Sequence, residues 1–310
     1  MFPSKTWHVF LGRSIPTQIR HVHTRPPRTL PAFSLEGKTC VVTGAGRGLG
    51  KEFLTGFARS GARGACIDLT LASATASVSH IKSYLTSLPE NSLSSTTGDE
   101  SKENLGPLFI DLRPYACDVT KEDQVISTFD QIIRDFGQID VLVTAAGIVD
   151  NVAAEDYSYA RWRKMMDVNL DGTFLCAREA GKHMLQRGIK GSIILVGSMS
   201  GSICVRPQKQ AAYNASKGAV IMLAKSLATE WGPHGIRVNT ISPGYMKTDL
   251  IHELLEREGK ELVESWIKDT PLGRMAHPSE LQGTIVWMAS DASSFLNGSD
   301  VIVDGGYTSY

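Results

Sequence analysis

The chain has 310 residues, of which 42% are hydrophobic, and its 32 basic side chains balance its 32 acidic ones. This length fits one large α/β domain with extensions, and the balanced charge gives no indication of nucleic-acid binding. No apolar run approaches the ~20 residues of a membrane-spanning helix, so the sequence predicts a soluble protein that acts on a small molecule and binds neither nucleic acid nor membrane.

Residues 1–35 differ in composition from the rest of the chain. They contain no acidic residue, and their basic side chains are spread among Ser, Thr and Pro. This pattern is typical of a mitochondrial transit peptide, and the apolar region of a secretory signal is missing. We therefore predict import into the mitochondrial matrix, with cleavage between about Arg20 and Phe33. The alternative is a disordered basic tail on a cytoplasmic protein, since such tails share this composition.

A glycine loop opens the domain predicted at 36–310. It follows a short apolar strand, Thr39–Thr43, and precedes a predicted helix, Lys51–Ser60, with glycines at Gly44, Gly48 and Gly50. Glycines let the backbone turn tightly and approach a pyrophosphate, whose charge is met by the helix N-terminus. The spacing differs from the commonest dinucleotide fingerprint, so the strand and helix around the loop carry the prediction.

Asp68 ends the second predicted strand, Ala65–Asp68. It lies about the expected ~20 residues beyond the loop, where a carboxylate accepts hydrogen bonds from ribose hydroxyls and repels a 2′-phosphate. This position favours NAD. Arg47 in the glycine loop favours the opposite choice, because an arginine there could meet a 2′-phosphate. Asp68 is the stronger signal, so NAD is predicted and NADP is the alternative.

Strands and helices alternate through the next part of the chain. The predicted segments are a helix at Leu71–Leu85, a polar surface insertion at 89–107, a strand at Pro114–Val119, a helix at Lys121–Phe136 and a strand at Ile139–Thr144. Asp118 lies near the carboxyl end of its strand, where ligands gather in open α/β sheets. The alternation predicts an α/β fold with a single Rossmann-like, doubly wound parallel sheet of about seven strands and helices on both faces.

Asn169 lies near the middle of a long apolar-striped helix predicted from about Tyr159 to Gln186. Asparagine is a poor helix former, and burying its amide costs free energy unless the amide is hydrogen-bonded. Its presence therefore indicates either a kink in the helix or a function. The alternative is an asparagine that faces solvent.

Tyr213 and Lys217 lie one turn apart on one face of a predicted helix, whose apolar stripe is Ala219, Val220, Leu223, Ala224 and Leu227. A phenol titrates near pH ~10, and a neighbouring positive charge lowers its pKa, so the pair is a candidate general acid/base. The alternative is two ordinary surface residues of a helix, because short motifs match often by chance.

Eight motifs occur in an order and spacing that resemble the short-chain dehydrogenase/reductase family from about Leu35 to Gly306. They are Thr43–Gly50, Cys117–Thr120, Val168–Leu170, Gly191–Ser198, Tyr213–Lys217, Arg237–Asn239, Ile241–Gly244 and Val303–Gly306. The family usually has Asn-Asn-Ala-Gly after the fourth strand, whereas this chain has Thr144-Ala145-Ala146-Gly147. We expect changed local hydrogen bonding there, and no loss of activity.

The resemblance implies a catalytic set of four residues: Asn169, Ser198, Tyr213 and Lys217. Tyr213 would exchange the proton, Lys217 would lower its pKa and bind the nicotinamide ribose, Ser198 would bond the substrate oxygen, and Asn169 would anchor a water in a proton relay. Ser198 is preferred to Ser200 and Ser202, because the family's serine is the second of two small residues directly after the strand. A scaffold or sensor that has lost the chemistry is the alternative from another functional class.

The resemblance also implies a cofactor site and a homo-oligomer, either a dimer or a tetramer. The cofactor-binding residues would be Gly44, Arg47, Gly48, Leu49, Gly50, Asp68, Asp118, Val119, Ala146, Gly147, Tyr213, Lys217, Pro243, Gly244 and Thr248. Residues 245–275 would form a substrate lid, while Tyr245, Trp231 and Trp266 are expected to fill core or rim space. The eight histidines show no metal-ligand spacing, so no metal is predicted.

The segment before Tyr213 predicts the substrate. It carries the polar side chains Ser200, Ser202, Arg206, Gln208, Lys209 and Gln210. A steroid or fatty-acyl pocket should be mainly apolar, so these groups favour a small polyhydroxylated substrate. The segment and the Thr144–Gly147 variant also resemble the fungal polyol branch of the family. The leading prediction is oxidation of D-arabinitol to a ketopentose, and a 3-oxoacyl thioester reductase is the alternative.

Overall fold

The computed structural model describes residues 29–88, 110–248 and 260–310. Within these ranges the centre of the molecule is a seven-stranded parallel sheet. The strands are β1 (Thr39–Thr43), β2 (Arg63–Asp68), β3 (Leu112–Ala116), β4 (Val141–Thr144), β5 (Ser192–Val196), β6 (Arg237–Pro243) and β7 (Asp300–Val303). Their order across the sheet is β3-β2-β1-β4-β5-β6-β7. The predicted fold class is confirmed.

Helices cover both faces of this sheet. They are α1 (Gly48–Arg59), α2 (Leu71–Ser87), α3 (Glu122–Phe136), α4 (Tyr159–Met166), α5 (Gly172–Arg187), α6 (Ala211–Trp231), α7 (Lys260–Asp269) and α8 (Gln282–Ala289). Side chains alternate across a strand, so Val42 joins one core with α1, α2 and α8, while its neighbour Val41 joins the other with α3, α5 and α6. This two-sided burial explains why β1, β4 and β5 are buried at every position and are apolar except for a Thr or Ser at their ends.

The order in which the chain adds strands to the parallel sheet reverses between β1 and β4. From β1 the sheet grows outward through β2 and β3, and from β4 it grows the other way through β5, β6 and β7. In open α/β sheets such a reversal leaves a crevice outside the carboxyl ends of the two strands. The glycine loop after β1 and the segment after β4 therefore meet at one place.

The folded part of the chain includes Leu35, the last residue of the predicted leader. Leu35 is fully buried, and its N–H donates to the carbonyl oxygen of Ser60 at 2.9 Å. Most of the predicted leader, residues 1–28, lies outside the described residues, as do the whole polar insertion at 89–107 and part of the predicted lid, 249–259. No helix in the described ranges is long and apolar enough to cross a membrane.

β3 ends earlier than predicted, at Ala116, so Asp118 does not belong to the strand. The Asp118 carboxylate accepts hydrogen bonds from the N–H and the hydroxyl of Thr120, at 3.0 and 2.7 Å. Such a local turn takes the backbone out of the sheet, because an aspartate side chain satisfies groups that a strand would otherwise pair. Asp118 still lies beyond the carboxyl end of β3.

Candidate active site

A cleft of about 980 Å³ lies at the carboxyl edge of the sheet. All of the predicted cofactor-binding residues line it, from the glycine loop at one end to Pro243, Gly244 and Thr248 at the other, and so do Ser198, Tyr213 and Lys217. Of the predicted catalytic and cofactor-binding residues, all of which the structure describes, only Asn169 does not reach the cleft surface. The sequence therefore located one continuous site, with Asn169 behind it.

The glycine loop has the shape that a pyrophosphate requires. Gly44 and Gly48 have φ angles of +63° and +57°, a conformation that side chains disfavour. A Cβ on Gly44 would lie 2.7 Å from the backbone of Ala146, and one on Gly50 would lie 2.3 Å from the carbonyl oxygen of Gly44. α1 begins at Gly48 without a side-chain cap, so N–H groups of its first turn are available to an anion.

Asp68 is held in place at the end of β2. One carboxylate oxygen accepts the N–H of Gly46 at 2.8 Å, and the other accepts the N–H of Leu69 at 3.0 Å. Each oxygen can accept a further hydrogen bond, so the carboxylate can still bind ribose hydroxyls. Arg47 lines the same cleft and is exposed. The structure therefore places both competing cofactor signals at one end of the site.

Tyr213 and Lys217 lie one turn apart on α6, as predicted. Lys217 is buried and donates from Nζ to the carbonyl oxygen of Val196 at 2.7 Å, and its Nζ lies 5.8 Å from the centre of the Tyr213 ring. Burial lowers the pKa of Lys217 to about 8. Two ordinary surface residues would not be arranged in this way, so the surface-helix alternative is excluded.

Two effects on the pKa of Tyr213 are visible in the structure. Burial raises it, and a hydrogen bond with Ser198 opposes that rise. The Lys217 ammonium donates to the carbonyl oxygen of Val196. That Lys217 lowers the pKa of Tyr213 stays a prediction.

Ser198 is distinguished from its neighbouring serines by its surroundings. It follows β5 closely, lies beside Tyr213, and accepts the N–H of Ser200 at 3.1 Å. The hydroxyl of Ser200 accepts a hydrogen bond from Gln210 at 3.0 Å, and the exposed Ser202 bonds Asp300 instead. The geometry thus supports the choice of Ser198 as the serine that faces the reacting atoms.

Asn169 occupies a π-helical turn, Asp167–Asp171, between α4 and α5. The helix predicted from about Tyr159 to Gln186 is present as one helical run, which contains this π turn. The Asn169 side chain is fully buried: Oδ1 accepts the N–H of Ile148 at 2.8 Å, and Nδ2 donates to the carbonyl oxygen of Ile148 and to Ser216 Oγ, both at 3.0 Å. The solvent-facing alternative is excluded, and Asn169 ties the segment after β4 to the catalytic helix α6.

The Thr144–Gly147 variant lies close to Thr43, Asn169 and Lys217. Thr144 Oγ1 is buried without a partner in the described part of the chain, while the N–H of Ala146 donates to Thr43 Oγ1 at 3.3 Å. A Cβ at Gly147 would lie in ordinary contact with the Asn169 side-chain oxygen, at 3.4 Å, and with Lys217 Nζ, at 3.7 Å. The changed hydrogen bonding expected from this variant stays a prediction.

The substrate end of the cleft is more apolar than predicted. Of the six polar side chains before Tyr213, only Ser200, Gln208 and Gln210 line it. Six further lining residues were not predicted from the sequence: Ile148, Val149, Asn151, Met199, Val205 and Met246. They come from three loops with no common spacing, so the only signal was that each loop follows a strand of the sheet.

Two of the aromatic residues expected in core or rim space, Tyr245 and Trp266, lie at the wall of the cleft, where Trp266 is buried. Tyr245 and Trp266 stack with their ring centres 4.3 Å apart and their planes within 9°. Trp266 lies on α7, which is the part of the predicted lid that the structure describes. Among the described residues, no group of three or more His, Cys, Asp or Glu side chains is placed to hold a metal ion.

Comparison with known proteins agrees with this geometry. A family model described as enoyl-(acyl carrier protein) reductase matches residues 85–308. The NADH-dependent L-xylulose reductase of Ambrosiozyma monospora is 36% identical over 91% of this chain and 98% of its own. The ribulose-forming D-arabinitol 2-dehydrogenase of Scheffersomyces stipitis is 35% identical, with 90% and 96% covered. A gluconate 5-dehydrogenase from Burkholderia cenocepacia, solved with NADP and tartrate, has a TM-score of 0.77 and 31% identity, with 90% and 98% covered.

Proposed function

We propose, from the premise that this chain belongs to the short-chain dehydrogenase/reductase family, that it reversibly oxidises a sugar alcohol to a ketose with NAD, and that D-arabinitol is its leading substrate. The observation that carries the proposal is the juxtaposition of Ser198, Tyr213 and Lys217 in the cleft that also contains the glycine loop. A protein that only bound a dinucleotide would need the loop, and it would not need the buried lysine and the serine beside the tyrosine.

The residues divide the chemistry between them. Tyr213 takes the proton of the substrate alcohol in oxidation and returns it in reduction, and Ser198 holds both the phenol and the substrate oxygen. Nicotinamide, when bound, accepts or supplies the hydride. Lys217 has a pKa of about 8 and is therefore largely protonated at neutral pH. Its ammonium, which donates to the carbonyl oxygen of Val196, would also bind the nicotinamide ribose. Asn169 positions α6 from behind through Ser216.

NAD is proposed over NADP because of Asp68. Its carboxylate is fixed by Gly46 and Leu69 at the end of the cleft where the adenosine ribose would lie, and a 2′-phosphate there would meet its negative charge. Members of the family use either dinucleotide, since one relative is NADH-dependent and a solved neighbour contains NADP. The residues of the glycine loop would hold the pyrophosphate in both cases.

The sugar-alcohol proposal has support from the relatives and from the cleft. The two relatives described above act on a five-carbon ketose and a five-carbon polyol, and Ser200 and Gln210 supply polar groups near Ser198. A 3-oxoacyl thioester reductase remains the second candidate. The apolar residues around the substrate end and the acyl carrier protein reductase description of the family model favour it.

A substrate screen separates the two candidates. The purified enzyme would be assayed with NAD and a series of pentitols and hexitols, and in parallel with a short 3-hydroxyacyl thioester. The proposal expects the highest kcat/KM with D-arabinitol and much weaker acyl turnover. Efficient acyl turnover with no reaction of any polyol would overturn it.

Location and assembly are part of the same proposal. The basic, acid-free composition of residues 1–35 supports import into the mitochondrial matrix. Membership of the family supports a homo-oligomer, either a dimer or a tetramer, and analytical ultracentrifugation of the purified chain would test it. A single monomeric species at the concentrations used for assay would contradict the proposed assembly.

A further inference from the structure

Three separate segments meet on one side chain at the substrate end of the cleft. Gln208 lies in the loop between β5 and α6, Tyr245 follows β6, and Trp266 lies on α7. The Tyr245 hydroxyl and the Trp266 indole nitrogen each lie 2.8 Å from the same amide atom of Gln208. All three residues line the cleft that contains Ser198 and Tyr213.

Chemistry decides which way the Gln208 amide faces. An indole N–H can only donate, so the amide atom opposite Trp266 is the oxygen. The amide nitrogen then donates to the carbonyl oxygen of Arg206 at 3.2 Å. Burial raises the pKa of Tyr245, so its hydroxyl stays protonated and can donate as well. One carbonyl oxygen therefore accepts hydrogen bonds from both aromatic residues.

Tyr245 and Trp266 together form an aromatic wall of the cleft. The two rings are stacked, Trp266 is 1% exposed, and Tyr307 packs edge-on against Tyr245 with ring centres 5.4 Å apart. The hydrophobic effect that buries the two rings is not directional. The two hydrogen bonds to Gln208 are directional, and they join the wall to the loop that leads into the catalytic helix.

We propose that Gln208 is a positioning residue for substrate: it fixes the aromatic wall relative to Ser198 and Tyr213, and thereby sets the affinity for the alcohol or ketone. This inference rests on the proposed function only in taking this end of the cleft as the substrate end. Both polar atoms of the Gln208 amide are hydrogen-bonded, the oxygen to the two rings of the wall and the nitrogen to the carbonyl oxygen of Arg206. Gln208 therefore acts on the substrate through the wall. The end of the cleft formed by the glycine loop and Asp68 contains none of these three residues.

The first test replaces Gln208 with methionine, which has a similar size and no amide. With a substrate that the screen identifies, Gln208→Met should raise KM about tenfold, the effect of losing two ordinary hydrogen bonds, and kcat should stay within about threefold. The dissociation constant of NAD should not change. Gln208→Glu keeps an acceptor oxygen and should restore KM to near the parent value. A fall in kcat and NAD affinity with KM unchanged would overturn the proposal.

A second test asks whether Gln208 acts through the two rings. The double variant Tyr245→Phe, Trp266→Phe removes both donors and keeps both aromatic faces. Adding Gln208→Met to that background should change KM by less than about twofold, because the contact is already lost. A full tenfold change in that background would overturn the proposal. The cycle runs on a polyol or an acyl substrate, so failure of the sugar-alcohol proposal would be recognised separately.

Discussion

Tyr213 is the residue on which the proposed chemistry depends most directly. Tyr213→Phe removes the proton donor and keeps the ring that packs beside Lys217. Turnover should fall by ~10²–10⁴, the range for general acid/base catalysis, while NAD affinity measured by fluorescence titration stays near the parent value. A variant within a few-fold of parental kcat would remove Tyr213 from the mechanism.

Asp68 carries the second prediction at this scale. Asp68→Ser removes the charge that opposes a 2′-phosphate, and Gly46 and Leu69 lose their carboxylate acceptor. The ratio of kcat/KM for NAD to that for NADP should fall by the equivalent of about 1–3 kcal/mol, the value of a hydrogen bond to a charged group. A parent enzyme that already prefers NADP would instead assign the choice to Arg47.

Lys217 makes stability depend on pH. Its folded pKa of about 8 lies below its unfolded value, so between these values the unfolded chain binds more protons and alkaline pH favours folding. Parent stability should therefore gain about 1 kcal/mol relative to Lys217→Met between about pH 7 and about pH 9. Urea unfolding at the two pH values measures the gain. Lys225→Met, which removes an exposed lysine of the same helix, serves as the control and should show no such trend.

Sequence spacing predicted the residues of the site that lie close together in the chain. Tyr213 and Lys217 share a helix face because helical geometry fixes positions one turn apart. The contact of Gln208 with Trp266 joins segments far apart in the sequence, and neither residue type signals the other. The hydrogen bond from Lys217 to the carbonyl oxygen of Val196 has the same character, since Val196 lies on β5 and Lys217 on α6.

At the scale of elements, the π turn at Asp167–Asp171 holds two parts of the site together. Asn169→Leu leaves three polar groups of Ile148 and Ser216 without their partner. The free energy of unfolding should fall by at least about 2 kcal/mol, and kcat should fall with it, because α6 loses its support behind Lys217. Thr173→Val, a near-isosteric control, removes one hydrogen bond to the Asn169 carbonyl and should cost about 1 kcal/mol. A leucine variant as stable as the parent would contradict the role of the turn.

The π turn also shows what periodicity could and could not predict. A π turn holds one extra residue without interrupting the helix. The apolar pattern therefore predicted the helical span, and it did not predict the turn within that span. Asn169 was the informative residue, because a buried amide in a helix needs partners outside that helix.

For the whole molecule, alternation of strands and helices predicted a parallel sheet, because parallel strands need crossover connections. It did not predict the strand order, in which β4 lies beside β1. Leu35 was assigned to the leader because the first acidic residue, Glu36, follows it. Leu35 belongs to the core that includes Phe53 and Phe57 of α1, and its N–H donates to the carbonyl oxygen of Ser60, an environment that no local pattern records.

The N-terminal boundary of the folded domain gives a prediction for the whole molecule. A chain that starts at residue 29 keeps Leu35 and every described element, so its kcat and its free energy of unfolding should equal those of the mature protein. A chain that starts at residue 36 loses a fully buried leucine and should be about 2–5 kcal/mol less stable. Equal stability of the two truncated chains would show that Leu35 does not contribute to the core.

The last prediction concerns the proposed import into mitochondria. In cells with mitochondria, the full chain should appear in the matrix with a new N-terminus between about Arg20 and Phe33, which mass spectrometry of the recovered protein would show. Changing Arg13, Arg20 and Arg25 to glutamate reverses the charge of the leader without touching the described fold, so that variant should remain uncleaved outside the matrix and keep full activity. Matrix protein that retains Met1 would contradict cleavage, and a parent chain found only in the cytosol would assign residues 1–28 to a basic tail.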